Sequence, residues 1–318
     1  MTYRTSCQLA TLITVLILAI SPCWGSDFRE TESFAPVVEQ TQAYAHQFGP
    51  ERVLVVMDID NTLLAMDSDL GSDQWFEWQE FLLDQQPDSP HLVGQNFGEL
   101  LEVQGLLYAA HHMHPPEAEQ PEQVQELQNL GVDTLVLTSR GDDYRAATLR
   151  ELKRAGYDFA KTAPRISLFA GDADNPYETG SRFIPYNTET PAAFGLTAHE
   201  MKVFHLPDNP REVSYADGVL MTSGQHKGAM LLMFMHLVNK PYDAIIYVDD
   251  HGRHVSRVYD AMARRGLDVT TFHYTHEAAR VKQFAYGDKQ EVTRQWQAID
   301  ALLHGEASQP EVAEAAAP

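Results

Sequence analysis

Three apolar runs stand out along the chain, Val53-Leu54-Val55-Val56-Met57, Thr134-Leu135-Val136-Leu137 and Ala244-Ile245-Ile246-Tyr247-Val248, and Val269 to Tyr274 reads as a further strand. Runs this short, without polar alternation, fit strands covered on both faces, as in a parallel sheet. Between them the apolar spacing turns helical. Phe34, Val37, Val38 and Ala43 share a face over Glu30 to Gln47, and Gly49-Pro50 ends that helix. Val124, Leu127 and Leu130 mark a face that resumes after Pro121 and stops at Gly131. Further helices are expected around Tyr144 to Lys153, from Lys227 through Leu231, Leu232 and Phe234, over Val255 to Arg265, and over about Lys289 to Leu303. Strands alternating with helices predict an α/β fold with a parallel, Rossmann-like sheet between two helical layers.

Two segments interrupt this alternation. Residues 65–122 carry Trp75, Phe76, Trp78, Phe81 and Leu82, then Phe97, Leu100, Leu101, Leu106 and Leu107, with Pro87 and Pro90 as breaks. That spacing predicts a helical cap inserted between two core strands, with the aromatic cluster as its own core. Residues 164–224 are rich in Pro, Gly, Asn and Thr, with strand-like pieces at Ile166 to Phe169, Arg182 to Tyr186 and Lys202 to Leu206. Val213-Ser214-Tyr215 and Val219-Leu220-Met221 flank Asp217-Gly218, a hairpin signal. The core is therefore expected over 26–64 and 123–304. The Ala-, Glu- and Pro-rich residues 305–318 read as a disordered tail.

At the other end, Arg4 precedes an uncharged apolar run from Leu9 to Ile20, followed by Ser21-Pro22-Cys23-Trp24-Gly25-Ser26. This pattern predicts a signal peptide over residues 1–25, and hence a periplasmic or secreted protein. An uncleaved anchor and a lipid-modified Cys23 are the alternatives. Both cysteines of the chain, Cys7 and Cys23, fall inside this segment, so thiol catalysis and thiolate metal sites are not expected. No later segment is apolar and long enough to span a membrane. The formal net charge of -22 argues against a nucleic-acid polymer or an anionic membrane surface as partner.

The strand ends carry the candidate chemistry. The first run leads into Asp58-Ile59-Asp60-Asn61-Thr62, where alternate residues share a face. Asp58 and Asp60 can then converge at the carboxyl edge of the sheet, where open α/β sheets bind ligands. Two acids there need a cation or a shared proton, and a hard divalent ion is the simplest remedy. The second run ends in Thr138, Ser139 and Arg140, and the third in Asp249-Asp250. Lys227 opens the helix before the third run. A cation is mildly unfavourable at a helix start, which argues for an anionic partner. Arg140 is a candidate phosphate binder. His111-His112-Met113-His114, before Pro115-Pro116, reads as a loop rather than a metal site, and His251 and His254 after the acidic pair could touch the site, with a solvated loop as the default.

In order and context these residues resemble the haloacid dehalogenase-like superfamily. Its Asp-x-Asp-x-Thr motif matches Asp58, Asp60 and Thr62; its strand-end Ser or Thr matches Thr138; its helix-start Lys matches Lys227; its acidic pair matches Asp249 and Asp250. The resemblance covers most of residues 50–275, and the insertion at 65–122 sits where that family often places a cap. It is also similar to an uncharacterised branch found in exported bacterial proteins. The resemblance implies a Mg²⁺-dependent phosphatase acting on a small phosphate ester. Asp58 would be the nucleophile and Asp60 the acid and then the base. Thr138, Ser139, Arg140 and Lys227 would hold the phosphoryl group. Mg²⁺ would sit on Asp58, the Asp60 carbonyl and Asp249, with Asp250 either a ligand or an orienter of Lys227. An acid at the Asp60 position points to phosphatases or phosphomutases over dehalogenases. A catalytically weak binding or surface protein and a phosphotransferase to an alcohol are the alternatives.

Overall fold

The computed structural model describes residues 27–166 and 181–305. The expected signal peptide, both cysteines, all but Gly305 of the expected tail and most of the Ile166 to Phe169 run lie outside them.

The chain opens with β1 (Asp27–Thr31) and α1 (Ala35–Phe48), then β2 (Val53–Met57). Next come β3 (Ala65–Met66), α2 (Asp73–Gln85), α3 (Phe97–Ala110), β4 (Met113–His114), α4 (Gln120–Leu130), β5 (Asp133–Thr138) and α5 (Arg145–Arg154). The second half holds β6 (Ser181–Phe183), α6 (Ala198–Val203), β7 (Val213–Ala216), β8 (Val219–Met221) and α7 (Lys227–Val238). It finishes with β9 (Ala244–Asp249), α8 (Gly252–Ala263), β10 (Asp268–Tyr274), α9 (Ala278–Tyr286) and α10 (Gln290–Leu303).

Eight strands form one sheet in the order β1-β10-β9-β2-β5-β8-β7-β6. Pairing is parallel from β1 through β8, and β7 and β6 add antiparallel at the edge. The fold is thus α/β, a mostly parallel sheet between two helical layers. β2 shows how the layers are built. Val53, Val55 and Met57 face a cluster that takes Val37, Val38 and Tyr44 from α1, Val124 and Leu127 from α4, and Leu152 from α5. Leu54 and Val56 face the opposite cluster with α7 and α8. Alternate residues point to opposite faces, so a strand covered on both sides must be apolar throughout. β2 pairs with β5 on one side and β9 on the other, and chain order reverses there. The crevice at this switch point lies at the carboxyl ends of those strands.

Three elements differ from their sequence expectations. The helix expected from Glu30 begins only at Ala35. Asp27–Thr31 instead pairs along five residues with β10, and Pro36 is confined to the helix's first turn because it lacks an N–H. The strand-like Lys202 to Leu206 is instead the end of helix α6 and the turn after it. Thr197 and Glu200 form a capping box that starts α6, a Thr-x-x-Glu signal readable in the sequence. Between β10 and α10 the chain forms a further helix, α9.

The insertion also differs in where it packs. α2 and α3 share an apolar cluster with the chain's last two helices: Leu70, Trp75, Leu100 and Leu107 meet Phe284 of α9 and Val292 and Trp296 of α10. Within residues 65–122, β3 and β4 close a small antiparallel ribbon at the base of the two helices. Among the described residues no helix is long and apolar enough to cross a membrane.

Candidate active site

Asp58 leaves β2 with its backbone N–H donating to the Val248 carbonyl of β9 at 2.9 Å. The next residues turn sharply. The N–H groups of Thr62, Leu63 and Leu64 all donate to the Ile59 carbonyl, and Asn61 takes a left-handed φ of 53°. Asparagine tolerates that conformation better than most residues. Ile59 is buried in the core, so Asp58 and Asp60 on either side of it face the crevice.

The structure brings Lys227 to this crevice. Its Nζ donates to Asp58 Oδ1 at 2.6 Å and to Asp249 Oδ2 at 2.7 Å, with all three side chains almost fully buried. α7 places it there through two local devices. His226 caps the helix, its Nδ1 accepting from the Ala229 N–H at 3.1 Å. That requires a neutral imidazole, and burial beside Arg257 holds His226 down at about 4. Gly228 lets α7 press against the Arg257 backbone of α8, where a side chain would collide.

A third carboxylate joins the two that hold this ammonium. Asp58, Asp249 and Asp250 each offer an oxygen within 4.8 Å of the others. Asp249 is held low against the cost of burial by Lys227, with His254 and the Tyr247 hydroxyl adding to it. Its other oxygen accepts the His251 N–H at 2.8 Å. Asp58 shares the same ammonium but is pushed up to about 7, since burial and the charges of Asp249 and Asp60 outweigh Lys227. Asp250 is raised well above the carboxylate range by burial and by Asp73, Asp249 and Asp58, against the pull of His251. Its Oδ1 is sealed from solvent with no hydrogen-bond partner among the described residues. A set of hard carboxylate oxygens with one oxygen orphaned suits a divalent cation bound by oxygen ligands.

The other expected residues occupy distinct posts. Thr62 Oγ1 accepts the Asp250 N–H at 3.0 Å, so it ties the first motif to the acidic pair. Thr138 is fully buried; its Oγ1 accepts the Arg140 N–H at 3.1 Å, and its carbonyl accepts from Thr222. Ser139 is half-buried, and its carbonyl accepts the Gly224 N–H at 2.8 Å. Arg140, expected on a phosphate, lies instead against Asp60: Nε donates to Oδ2 at 2.9 Å and Nη2 to Oδ1 at 2.6 Å.

Several residues of the site carried no strong sequence signal. Tyr247 stands two residues before Asp249 on β9 and therefore shares its face. His251 Nε2 lies 2.8 Å from Asp73 Oδ2 of the insertion. Burial pulls the imidazolium down, yet Asp73 and the acidic pair lift it to about 11. Asp73, Asp250 and His251 form a second group that could hold a metal. A cavity of about 390 Å³ opens beside it, lined by Asn61, Gln74, Asp250, His251, Tyr274 and Lys282 among others. His112 and His114 pair with Glu151 and Asp67 and belong to neither metal-capable group.

A family model described as "Protein of unknown function (DUF2608)" matches residues 30–309. No curated protein matches the chain.

Proposed function

We propose that this chain, which belongs to the DUF2608 family, is a Mg²⁺-dependent phosphatase of the haloacid dehalogenase-like type that hydrolyses a small phosphate ester. The observation that carries the reading is the Lys227 ammonium held between Asp58 and Asp249 at the sheet's carboxyl edge, beside the orphaned Asp250.

The chemistry follows from charge. Burial and mutual repulsion lift Asp58 and Asp250 because one ammonium does not compensate the cluster, and a divalent ion would supply that compensation. Asp58, Asp249 and Asp250 would hold it, and when bound it would neutralise phosphoryl oxygens that the acids alone would repel. Lys227 holds Asp58 Oδ1, so Oδ2 is the attacking atom in line with the leaving oxygen. Asp60 would protonate the leaving oxygen as its bond to phosphorus breaks and the phosphoryl group passes to Asp58. Asp60 then takes a proton from the water that attacks the aspartyl-phosphate, returning the electron pair to Asp58. Thr138 sets the Arg140 backbone, and Thr62 sets the Asp250 backbone. The leaving group would extend toward the cavity between the insertion and α9. With the expected signal peptide, the reaction belongs outside the cytoplasm, and N-terminal sequencing of exported protein checks that placement.

The test is phosphate release from nitrophenyl phosphate with Mg²⁺, with EDTA, and by Asp58→Asn. Release should require the metal and disappear in the variant. Release indifferent to both would remove this reading. A wild-type protein inert across a broad ester panel would favour a binding protein built on the same fold.

A further inference from the structure

We infer that Arg140 is a positioning residue for Asp60 and not a phosphate-binding residue, and that the inserted helices take part in that positioning. The inference rests on the functional reading above and assigns a task to a side chain that the reading leaves unexplained.

Each nitrogen of the guanidinium is engaged within the protein. Its Nε and Nη2 grip the two oxygens of Asp60, and its Nη1 donates to Thr148 Oγ1 of α5 at 2.9 Å. Nη2 also lies 3.5 Å from Met113 Sδ of β4. The ring of Tyr108, from α3, covers the guanidinium at 4.0 Å, and the Tyr108 hydroxyl reaches Asp60 Oδ1 at 3.5 Å. The Arg140 side chain is only 3% exposed. A phosphate binder needs N–H groups directed at the substrate, and here each nitrogen already has a protein partner. The paired, parallel geometry fixes both the rotamer and the plane of the carboxylate, which a lysine could not do.

The partners come from separate parts of the fold. Asp60 follows β2, Arg140 follows β5, Thr148 lies on α5, and Tyr108 and Met113 belong to the 65–122 insertion. The insertion therefore builds part of the wall that aims the second carboxylate, in addition to bordering the cavity. Its ribbon is tied to the core just behind that wall, where the Met113 N–H donates to Glu151 at 2.8 Å.

A double-mutant cycle on the full chain tests this, with steady-state hydrolysis of nitrophenyl phosphate and inhibition by inorganic phosphate as readouts. Arg140→Lys should lower kcat by about 10–100-fold, a fraction of what a misaimed acid–base group forfeits. KM and phosphate inhibition should stay within about twofold, because uniform binding is untouched. In an Asp60→Asn background the same change should cost nothing further, since it acts through the missing carboxylate. A rise in KM with weakened phosphate inhibition, or losses that multiply in the double variant, would overturn the inference while leaving the phosphatase reading intact. If Arg140→Lys does not fold, Tyr108→Phe removes one hydroxyl from the same shell and is run through the same cycle, with a smaller drop in kcat expected. Absence of any Asp58-dependent release from the wild type defeats the parent reading, and the inference falls with it.

Discussion

A buried lysine shared by two carboxylates is costly to assemble and costlier to break. Burial alone would drive its proton off, yet Asp249 and Asp58 hold the Lys227 ammonium above its ordinary value. Removing one partner of such a group leaves the others charged and dry. Lys227→Met should therefore destabilise the fold by about 3–5 kcal/mol in urea unfolding. Asp250 is the opposite case, because its Oδ1 has no hydrogen-bond partner among the described residues. Asp250→Asn should leave the stability of the metal-free protein unchanged or higher. It should also abolish the Mg²⁺-dependent rise in melting temperature, which in the parent reflects about 2–3 kcal/mol of stabilisation at about 100 times the Kd. An unchanged metal response in the variant would remove Asp250 from the proposed cation site.

At the level of elements, two contacts decide whether these side chains meet. The first is the close approach of α7 and α8 at Gly228, where an added Cβ would strike the Arg257 carbonyl and the Ala261 side chain. Backbone cannot yield there as a flexible side chain would. Gly228→Ala should cost about 1–3 kcal/mol and should lower activity more than stability, because Lys227 is the next residue. The second contact is the cluster of the insertion with α9 and α10. Trp296 is 9% exposed against Trp75, Leu100 and Leu107. Trp296→Ala should destabilise the protein by about 3 kcal/mol. Proteolysis should then cut first within 65–122, because that segment loses the partner that covers it.

Across the whole molecule, the excess of acid makes pH a severe variable, and two acid-sensitive ties lie away from the site. Glu151 is buried on α5, where desolvation would raise it. Arg150, the Met113 N–H, Arg154 and His112 outweigh that and bring it to about 2. Asp142 is likewise raised by burial but brought to about 2 by Ser214, Arg145 and Arg182. A carboxylate lowered on folding contributes stability that is fully present above its unfolded value and is lost as pH falls toward its folded one. For Glu151 that window runs from 4.5 down to about 2. Its arginines are 42% and 43% exposed, so solvent screening reduces the contribution to about 2 kcal/mol at neutral pH. Denaturation at pH 7 and at about pH 3 should show a smaller difference in Glu151→Gln than in the parent.

The sequence by itself determined the layered fold and the positions of the candidate site residues. Short apolar runs alternating with helical patterns fit strands covered twice, and the polar residues that end parallel strands then gather at one edge. Asp58, Asp60, Thr138, Lys227, Asp249 and Asp250 were legible for that reason. So was the Asp217-Gly218 hairpin. What only the tertiary structure decided is which group each of them holds. The grip of Arg140 on Asp60 joins residues 80 positions apart, and no local spacing encodes such a pair. The same holds for the lysine bridging two acids, for Asp73 on His251, and for the last helices covering the insertion. Periodicity fixes the face on which a side chain lies. Partner choice depends on how separate segments pack, and that is settled only when the whole core closes.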